Sequence, residues 1–353
     1  MTALTAIALS GGLDSAVAAL RLKAAGEKLL ALHFITGYEP VDQEGDQRHR
    51  LERLAARLGV ELAIIDCREA FQREVVDNFV DSYRLGRTPN PCVRCNARIK
   101  FGVVLQQALN LGASRLATGH YALKGRDSGG GFHLYKGIDG RKDQSYFLAR
   151  LNQAQLEKAV FPLGAITKAQ VQRQAAEAAL MLRPPRESQD ICFVPRGDYA
   201  AFLTATGRLA PLPGPIVDVA GRPLGQHHGL HAFTIGQRRG INCPGPAPYY
   251  VVRIDAARNT LVVGSAGDLM TGGCRVSDLR WLQPPAGDTL RVSVRLRYRS
   301  VEQPARVTME GEKAATVHFD APLAAVTPGQ CAVFYHGREV LGSGWIESSL
   351  ARG

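Results

Sequence analysis

Apolar runs of strand length alternate with helical patterns through the first 120 residues, and this alternation most restricts the fold. Thr5–Leu9, Leu29–Phe34, Glu61–Asp66 and Arg115–Thr118 read as strands, separated by helical stretches near 16–25, 46–58, 69–83 and 97–111. Apolar strands alternating with helices predict an α/β fold with a doubly wound parallel sheet covered on both faces. Between the first strand and first helix stands Ser10-Gly11-Gly12-Leu13-Asp14-Ser15. Two glycines let the backbone approach an anion, and the helix that follows aims its free N–H groups at it, so this is a phosphate cradle. It has neither the Gly-Lys-Ser/Thr of a P-loop nor the Gly-x-Gly-x-x-Gly of a dinucleotide loop. Ligands on such sheets lie outside the carboxyl ends of the strands, which places Ser10–Ser15, Phe34 and Thr118-Gly119-His120 on one rim.

A second stretch carries different chemistry. In Thr88-Pro89-Asn90-Pro91-Cys92-Val93-Arg94-Cys95-Asn96 the prolines hold the chain extended, and two thiols follow at Cys-x-x-Cys spacing. A helix is read from Ala97 with Asn96 as its cap. Its dipole, with Arg94 and Arg98, is expected to favour thiolate at both cysteines. Such a place suits sulfur transfer or metal binding.

Seven cysteines are scattered along 353 residues. An odd, dispersed set argues against a secreted disulfide framework and for a reducing, cytoplasmic setting. No run of about 18 apolar residues is present, and the apolar start of the chain reads as a buried strand, so neither a membrane span nor a signal peptide is expected. Lys and Arg number 43 against 32 Asp and Glu, a net charge of +11, which suggests a polyanionic partner. From about residue 208 the chain turns to Gly, Pro and short β-like runs. Domains are expected at 1–207, 208–272 and 273–353: the α/β domain, a small central β-rich domain and a terminal β-barrel. In Arg291–Arg299 alternation sets Val292, Val294, Leu296 and Tyr298 on one face and Arg291, Arg295, Arg297 and Arg299 on the other. Four arginines along one face call for an anion over them, and a nucleic-acid backbone would serve.

Ser10-Gly-Gly-Leu-Asp-Ser15 is the signature of the pyrophosphate-loop ATPases, which split ATP between the α and β phosphates. Together with Arg87–Asn96, Ala117–Ala122, Lys142–Leu148, Glu187–Phe193, Thr234–Gly240 and Thr327–Gln330, it makes the chain resemble the tRNA-specific 2-thiouridylases over nearly its whole length. The resemblance implies ATP, with Mg2+, bound by Ala8, Leu9, Ser10, Gly11, Gly12, Leu13, Asp14, Ser15, Phe34 and Gly119. Asp14 would ligate the metal or orient the phosphates. It implies sulfur replacing O2 of the wobble uridine in tRNAs for Lys, Glu and Gln, after AMP is placed on that oxygen. Cys192 matches the persulfide carrier and Cys95 the catalytic thiol, and Asn90, Pro91 and Cys92 would flank a base flipped from its stack. Lys142, Asp143, Gln144, Arg238, Arg239, Arg297 and Tyr298 match tRNA-contacting segments. A cysteine desulfurase or sulfur-relay protein would deliver sulfur, and a monomer wrapping the tRNA is expected.

Cys92 departs from the family, in which Asp is common at that place. Cys92, Cys95 and Cys192 are three thiols, enough to hold a [4Fe-4S] cluster with one iron open for sulfide. His33 and Phe34 stand where Met is usual near the adenine. Cys67, Cys243, Cys274 and Cys331 read as packing residues. A pyrophosphate-loop ligase acting on a small carboxylate is the rival enzyme class, and it leaves the three thiols without a task. A non-catalytic tRNA-binding module is the other rival, and it leaves the phosphate cradle without one.

Overall fold

The structure, a computed structural model, describes residues 3–39, 44–180, 191–195, 198–245 and 247–350. Its contacts divide the chain into two compact units, one of Met1–Val75, Cys92–Phe193 and Arg338–Leu341, the other of Val76–Pro91, Val194–Gly337 and Gly342–Gly353. Of the Glu187–Phe193 motif, Glu187 to Asp190 lie outside the described residues.

In the first unit β1 (Leu4–Ala8), β2 (Lys28–Ile35), β3 (Glu61–Asp66) and β4 (Arg115–Ala117) are parallel neighbours. β5 (Ala122–Arg126) and β6 (Phe132–Lys136) make an antiparallel hairpin, and β7 (Ala159–Val160) returns beside β4. The sheet order is β3-β2-β1-β4-β7. The order reverses between β1 and β4, and that switch point opens a crevice at the carboxyl ends of the two strands. The alternating pattern read from the sequence is therefore the observed sheet.

The helix Leu13–Ala24 lies close on this sheet because its inward face is small: Ala16, Val17, Ala18 and Ala19 are fully buried. Leu51, Leu54 and Leu58 of the helix Glu44–Leu58, and Val171 and Ala175 of the helix Lys168–Glu177, complete the same core. The helical stretch expected over 69–83 is three consecutive segments, Arg68–Phe71, Gln72–Val76 and Asp77–Arg84, the middle one wound wider as a π-helix.

In the second unit β8 (Gly214–Asp218), β9 (Pro223–His227), β10 (Tyr250–Asp255) and β11 (Thr260–Gly264) form a sheet of order β10-β11-β8-β9. Ile216, Phe233, Val251, Leu261 and Val263 are its core. β12 (Met270–Trp281), β13 (Thr289–Arg295), β14 (Gln303–Met309), β15 (Ala314–Ala324), β16 (Cys331–His336) and β17 (Glu339–Ser349) run β12-β15-β14-β13-β16-β17 and close through β12 against β17. The closed antiparallel barrel removes its own edges.

The arginine stripe is a correction. β13 ends at Arg295, so Arg297 and Tyr298 fall in the turn that follows. Val292, Val294 and Leu296 are buried as the alternation requires. The charges opposite them are met within the chain: Arg291 makes a two-pronged pair with Asp320 at 2.8 and 2.7 Å, and Arg295 meets Glu302 at 2.7 Å. Sequence alternation cannot see counter-charges supplied from elsewhere in the barrel, here β15 and the turn before β14, and no external anion is needed to hold these two arginines together.

His133 on β6 joins two carboxylates, Asp127 at 2.9 Å through Nε2 and Glu339 at 2.5 Å through Nδ1, and its ring stacks on Tyr135. Asp127, then Glu339, raise its pKa above the usual 6.5, and His133 in turn holds Asp127 below its ordinary range. A raised imidazole stabilises fully below its ordinary value, and that contribution is lost as pH rises through the raised value; a lowered carboxylate loses its contribution as pH falls through the lowered one. Amides of the β5–β6 hairpin are therefore expected to exchange faster, after correction for intrinsic rates, at about pH 9 than at about pH 6. His133→Gln removes that difference.

Candidate active site

The phosphate loop is assembled from its hydroxyls. The Ser10 amide donates to Ser15 Oγ at 3.2 Å, the Gly12 amide to Ser10 Oγ at 3.3 Å, and Ser15 Oγ to the Gly12 carbonyl at 2.9 Å. Gly11 takes φ +79°, open to glycine and strained for other residues. Across the switch point Gly119 follows β4, and a Cβ placed there would lie 2.9 Å from the Asp14 carbonyl carbon and 3.0 Å from the Ser15 nitrogen. Both contacts are backbone and cannot swing away. Ala8 ends β1, Leu9 follows it into the loop, Leu13 opens the helix Leu13–Ala24, and Phe34 stands near the end of β2, with His33 Nδ1 3.0 Å from the Leu9 carbonyl oxygen. Of the rim inferred from the sequence, Gly119 is thus brought against the loop, whereas Thr118 and His120 are buried.

Asp14 is engaged in a way the sequence did not reveal. Its Oδ1 accepts the Tyr121 hydroxyl at 2.7 Å and the Lys168 ammonium at 2.6 Å. Burial, and then the bond to Asp14, push the Tyr121 phenol well above its usual pKa. Tyr121 also exchanges backbone bonds with the next segment: the Gln144 amide donates to its carbonyl at 2.9 Å, and its own amide donates to Gln144 Oε1 at 3.0 Å. Asp143 is buried, and its oxygens accept from the Gly137 and Ser145 amides, each at 3.1 Å, and from the Ser145 hydroxyl at 3.0 Å. In the Lys142-Asp143-Gln144 segment, Asp143 therefore holds the turn.

The thiols sit differently from expectation. Cys92 and Cys95 lie inside the helix Pro91–Cys95, not ahead of it, because Pro91 takes the first helical position, where its missing N–H is no loss. The following turns, Asn96–Val104, wind as a π-helix. Asn96 is no cap: it is buried and its Nδ2 donates back to the Cys92 carbonyl at 3.0 Å. Arg94 and Arg98 turn to one carboxylate, Glu74, at 3.4 and 4.0 Å. With those cations spent, burial dominates and pushes Cys92 up to about 11 and Cys95 up to about 12, so the expected thiolates are neutral thiols. Lys100 opposes the rise at both, and nothing short of the π winding after Cys95 would have picked it out. Cys192 retains exposed surface, yet protein atoms crowd its sulfur and raise its pKa too. A charge on Cys192 raises both Cys92 and Cys95, so the three thiols share one electrostatic neighbourhood. Phe193 fixes Cys192 there by packing edge-on against Phe71 and Tyr38.

Among the described residues no three His, Cys, Asp or Glu side chains converge as ligands of one ion. The trio does not meet the geometry of a cluster. His120 is bonded to Thr118 at 2.7 Å, packed between Phe101 and Phe161, and held well below its usual pKa by burial. Cys67, which reads as a packing residue, is buried but adds its own field at Cys95.

In the second unit three of the quoted motifs meet. The Thr88 amide donates to the Pro328 carbonyl at 2.9 Å, Gln330 Nε2 donates to the Thr88 and Pro89 carbonyls at 2.9 and 3.1 Å, and Thr88 Oγ1 meets Thr234 Oγ1 at 3.2 Å. Arg87 adds a pair to Glu347 at 2.7 Å. Arg297 directs its guanidinium to the Ala325 carbonyl at 2.6 Å, the Ile235 carbonyl at 3.3 Å and the Thr327 hydroxyl. Arg238 and Arg239 are exposed on the 234–240 loop.

Sequence comparison separates this site from other users of the loop. The family described as tRNA methyl transferase HUP domain matches residues 4–196, its PRC-barrel domain residues 201–265 and the aminomethyltransferase beta-barrel domain residues 271–346. A protein of Desulfosudis oleivorans named tRNA-specific 2-thiouridylase MnmA is 49% identical over 345 residues, spanning 98% of this chain and 95% of that one. The chain belongs to the tRNA-specific 2-thiouridylase family. Proteins of the same name from Geobacter metallireducens and Chloroflexus aggregans are 44% and 42% identical, covering 98% and 96% of this chain and 97% of each relative. The archaeal U34-tRNA thiolase NcsA of Methanococcus maripaludis, solved with its [4Fe-4S] cluster, has a TM-score of 0.35 at 20% identity, over 58% of this chain and 66% of that one, too remote to inform this site. The thiouridylase is a tRNA sulfurtransferase that places sulfur at C2 of the wobble uridine, with a nucleotide-binding domain at its head.

Two measurements test the geometry. Gly119→Ala is expected to weaken ATP binding at least about tenfold by equilibrium dialysis, measured where the variant is still folded by circular dichroism, because the added carbon meets backbone and displaces the loop. Iodoacetamide labelling of Cys95, followed by mass spectrometry against pH, is expected to rise only toward about 12. A midpoint below the ordinary thiol value would contradict the burial account.

Proposed function

We propose that ATP activates the uridine in the Ser10–Ser15 loop and that Cys192 and Cys95 complete the sulfur transfer as a persulfide carrier and a resolving thiol. The observation that carries this reading is the placement of three thiols in one electrostatic neighbourhood, in the same unit as a phosphate loop closed over by Gly119. A carbonyl oxygen is a poor leaving group, and AMP makes it a good one. Uridine O2 gives an electron pair to the α phosphorus, the N3 proton goes to solvent, and pyrophosphate leaves with the electrons of the broken bond. The outer sulfur of the Cys192 persulfide attacks C2 and displaces AMP. Cys95 attacks the Cys192 sulfur, its proton passes to N3, and 2-thiouridine departs as a Cys95–Cys192 disulfide forms. An external thiol reductant reopens that disulfide, and a cysteine desulfurase or sulfur-relay protein reloads Cys192.

Magnesium would travel with the ATP phosphates, and Asp14 is the carboxylate of the loop able to meet it. No step is routed through an iron–sulfur cluster, since the thiols do not converge on one point. Asn90, Pro91 and Cys92 would flank the flipped base, the last two on the helix Pro91–Cys95. Lys142 and Gln144 in the first unit, and Arg238, Arg239 and Tyr298 in the second, are proposed to contact tRNA. Asp143 and Arg297 are proposed to shape those surfaces, because their polar atoms already bond within the chain. We further propose a monomeric cytoplasmic enzyme with domains at 1–207, 208–272 and 273–353.

In a single turnover without reductant, the loaded enzyme is expected to yield thiouridine together with a Cys95–Cys192 disulfide peptide. Cys95→Ser is expected to release AMP and pyrophosphate on adding tRNA yet lose thiolation by more than about 10³-fold. Cys92→Ala, purified anaerobically, is expected to be iron-free and to stay within about tenfold of the parent. Iron that leaves with Cys92, taking activity with it, would replace the persulfide route by a cluster.

A further inference from the structure

Lys168 is placed in the phosphate loop by a side of the fold to which neither the motif nor the relatives' names assign a role. It opens the helix Lys168–Glu177, whose start is locked by the Thr167 and Gln170 capping box. Its own amide donates to Asp139 Oδ2 at 2.9 Å. Val171 and Ala175 then pack the helix on the buried face of Leu13–Ala24. The Lys168 backbone is thereby held against the helix that begins at the loop. From it the ammonium reaches Asp14 Oδ1 at 2.6 Å and lies 6.0 Å from the centre of the Tyr121 ring, with its side chain only 16% exposed.

Holding an ammonium this far from water is unfavourable unless its charge is met, and here one carboxylate oxygen meets it while accepting a second donor from Tyr121. As a structural tie the pair is superfluous, since apolar packing already joins the two helices. As a store for a cation beside a phosphate cradle it has a use.

We propose that Lys168 is a catalytic residue of uridine adenylation: its ammonium passes from Asp14 to the β phosphate of bound ATP and stabilises pyrophosphate as it leaves. This rests on the reading that the Ser10–Ser15 loop holds the ATP phosphates. When uridine O2 bonds to the α phosphorus and the N3 proton goes to solvent, the bond from that phosphorus to the bridging oxygen breaks and its electron pair goes to pyrophosphate. Negative charge develops on the leaving oxygens, and a preplaced ammonium acts most strongly there. Lys168 stays protonated throughout. Asp14, relieved of the ammonium, is left with the Tyr121 hydroxyl and a free share of charge for the ion that accompanies ATP.

The test uses the full chain and tRNA with three variants: Lys168→Met, Lys168→Arg, and Arg173→Ala as a control on the exposed side of the same helix. ATP affinity without tRNA, inhibition by added pyrophosphate, and the rate of tRNA-dependent AMP formation are measured. The expected result for Lys168→Met is ATP affinity within about threefold of the parent, pyrophosphate inhibition weakened about tenfold, and AMP formation slowed about 10²- to 10³-fold. Lys168→Arg recovers part of the rate, and Arg173→Ala matches the parent. AMP formation within about threefold in Lys168→Met, or a lowered melting temperature with unchanged pyrophosphate inhibition, would show a structural tie and overturn the proposal. Should Lys168→Met fail to fold, Lys168→Arg with slowed AMP formation and weakened pyrophosphate inhibition still supports the role, and with both unchanged it removes it. Failure of the underlying reading is separate: Gly119→Ala would then bind ATP as the parent does.

Discussion

Two backbones touch at the switch point of the sheet, and the nucleotide half of the enzyme depends on that contact. Gly119, leaving β4, lies against the peptide between Asp14 and Ser15. The approach is set from both sides. The parallel register pairs Ile7 with Ala117, and the small buried face of Ala16–Ala19 lets the first helix sit low on the sheet. From the same crossing the chain continues through His120 to Tyr121, whose hydroxyl returns to Asp14. A larger residue at 119 would lift the loop from the rim, and the tyrosine's reach would lengthen with it.

The sheet was legible because burial on two faces leaves apolar runs that nothing else in the chain imitates. The approach of Gly119 to the Ser10–Ser15 loop agrees with one rule about strand ends. The helix start at Pro91 escapes a local reading because proline signals a break, whereas at the first helical position its fixed φ favours the helix. The thiolates were misread for a related reason: Arg94 and Arg98 are adjacent in sequence, but Glu74, some twenty residues earlier, claims them. Counter-charges from distant segments also dissolved the arginine stripe, through Asp320 and Glu302. Local pattern reports which side chains share a face, and long-range pairing decides what their charges meet. Lys168 lay beyond reach for the same reason, 154 positions from its partner.

The scattered motifs of the second unit acquire a common cause. Thr234–Gly240, Thr327–Gln330 and Arg297 are far apart in sequence and unrelated in composition, yet each donates to or accepts from the stretch around Arg87–Pro89 or the loops that hold it. Gly329, at φ +90°, is required because a Cβ would fall 2.9 Å from the Thr88 carbonyl oxygen. The residues leading into Pro91 are therefore positioned by the barrel unit's own backbone. The cysteines that follow are positioned by the sheet unit.

Burial of the thiols has one more consequence. A sulfhydryl with a pKa near 12 is ionised at neutral pH in roughly one molecule in 10⁵. Peroxides, electrophiles and soft metal ions react with the ionised form, so the raised pKa lowers the reactivity of Cys95 although its residue keeps some exposed surface. An enzyme that handles sulfur is in this way partly passivated by its own packing. Reactivity then has to arrive with the substrate rather than wait for it.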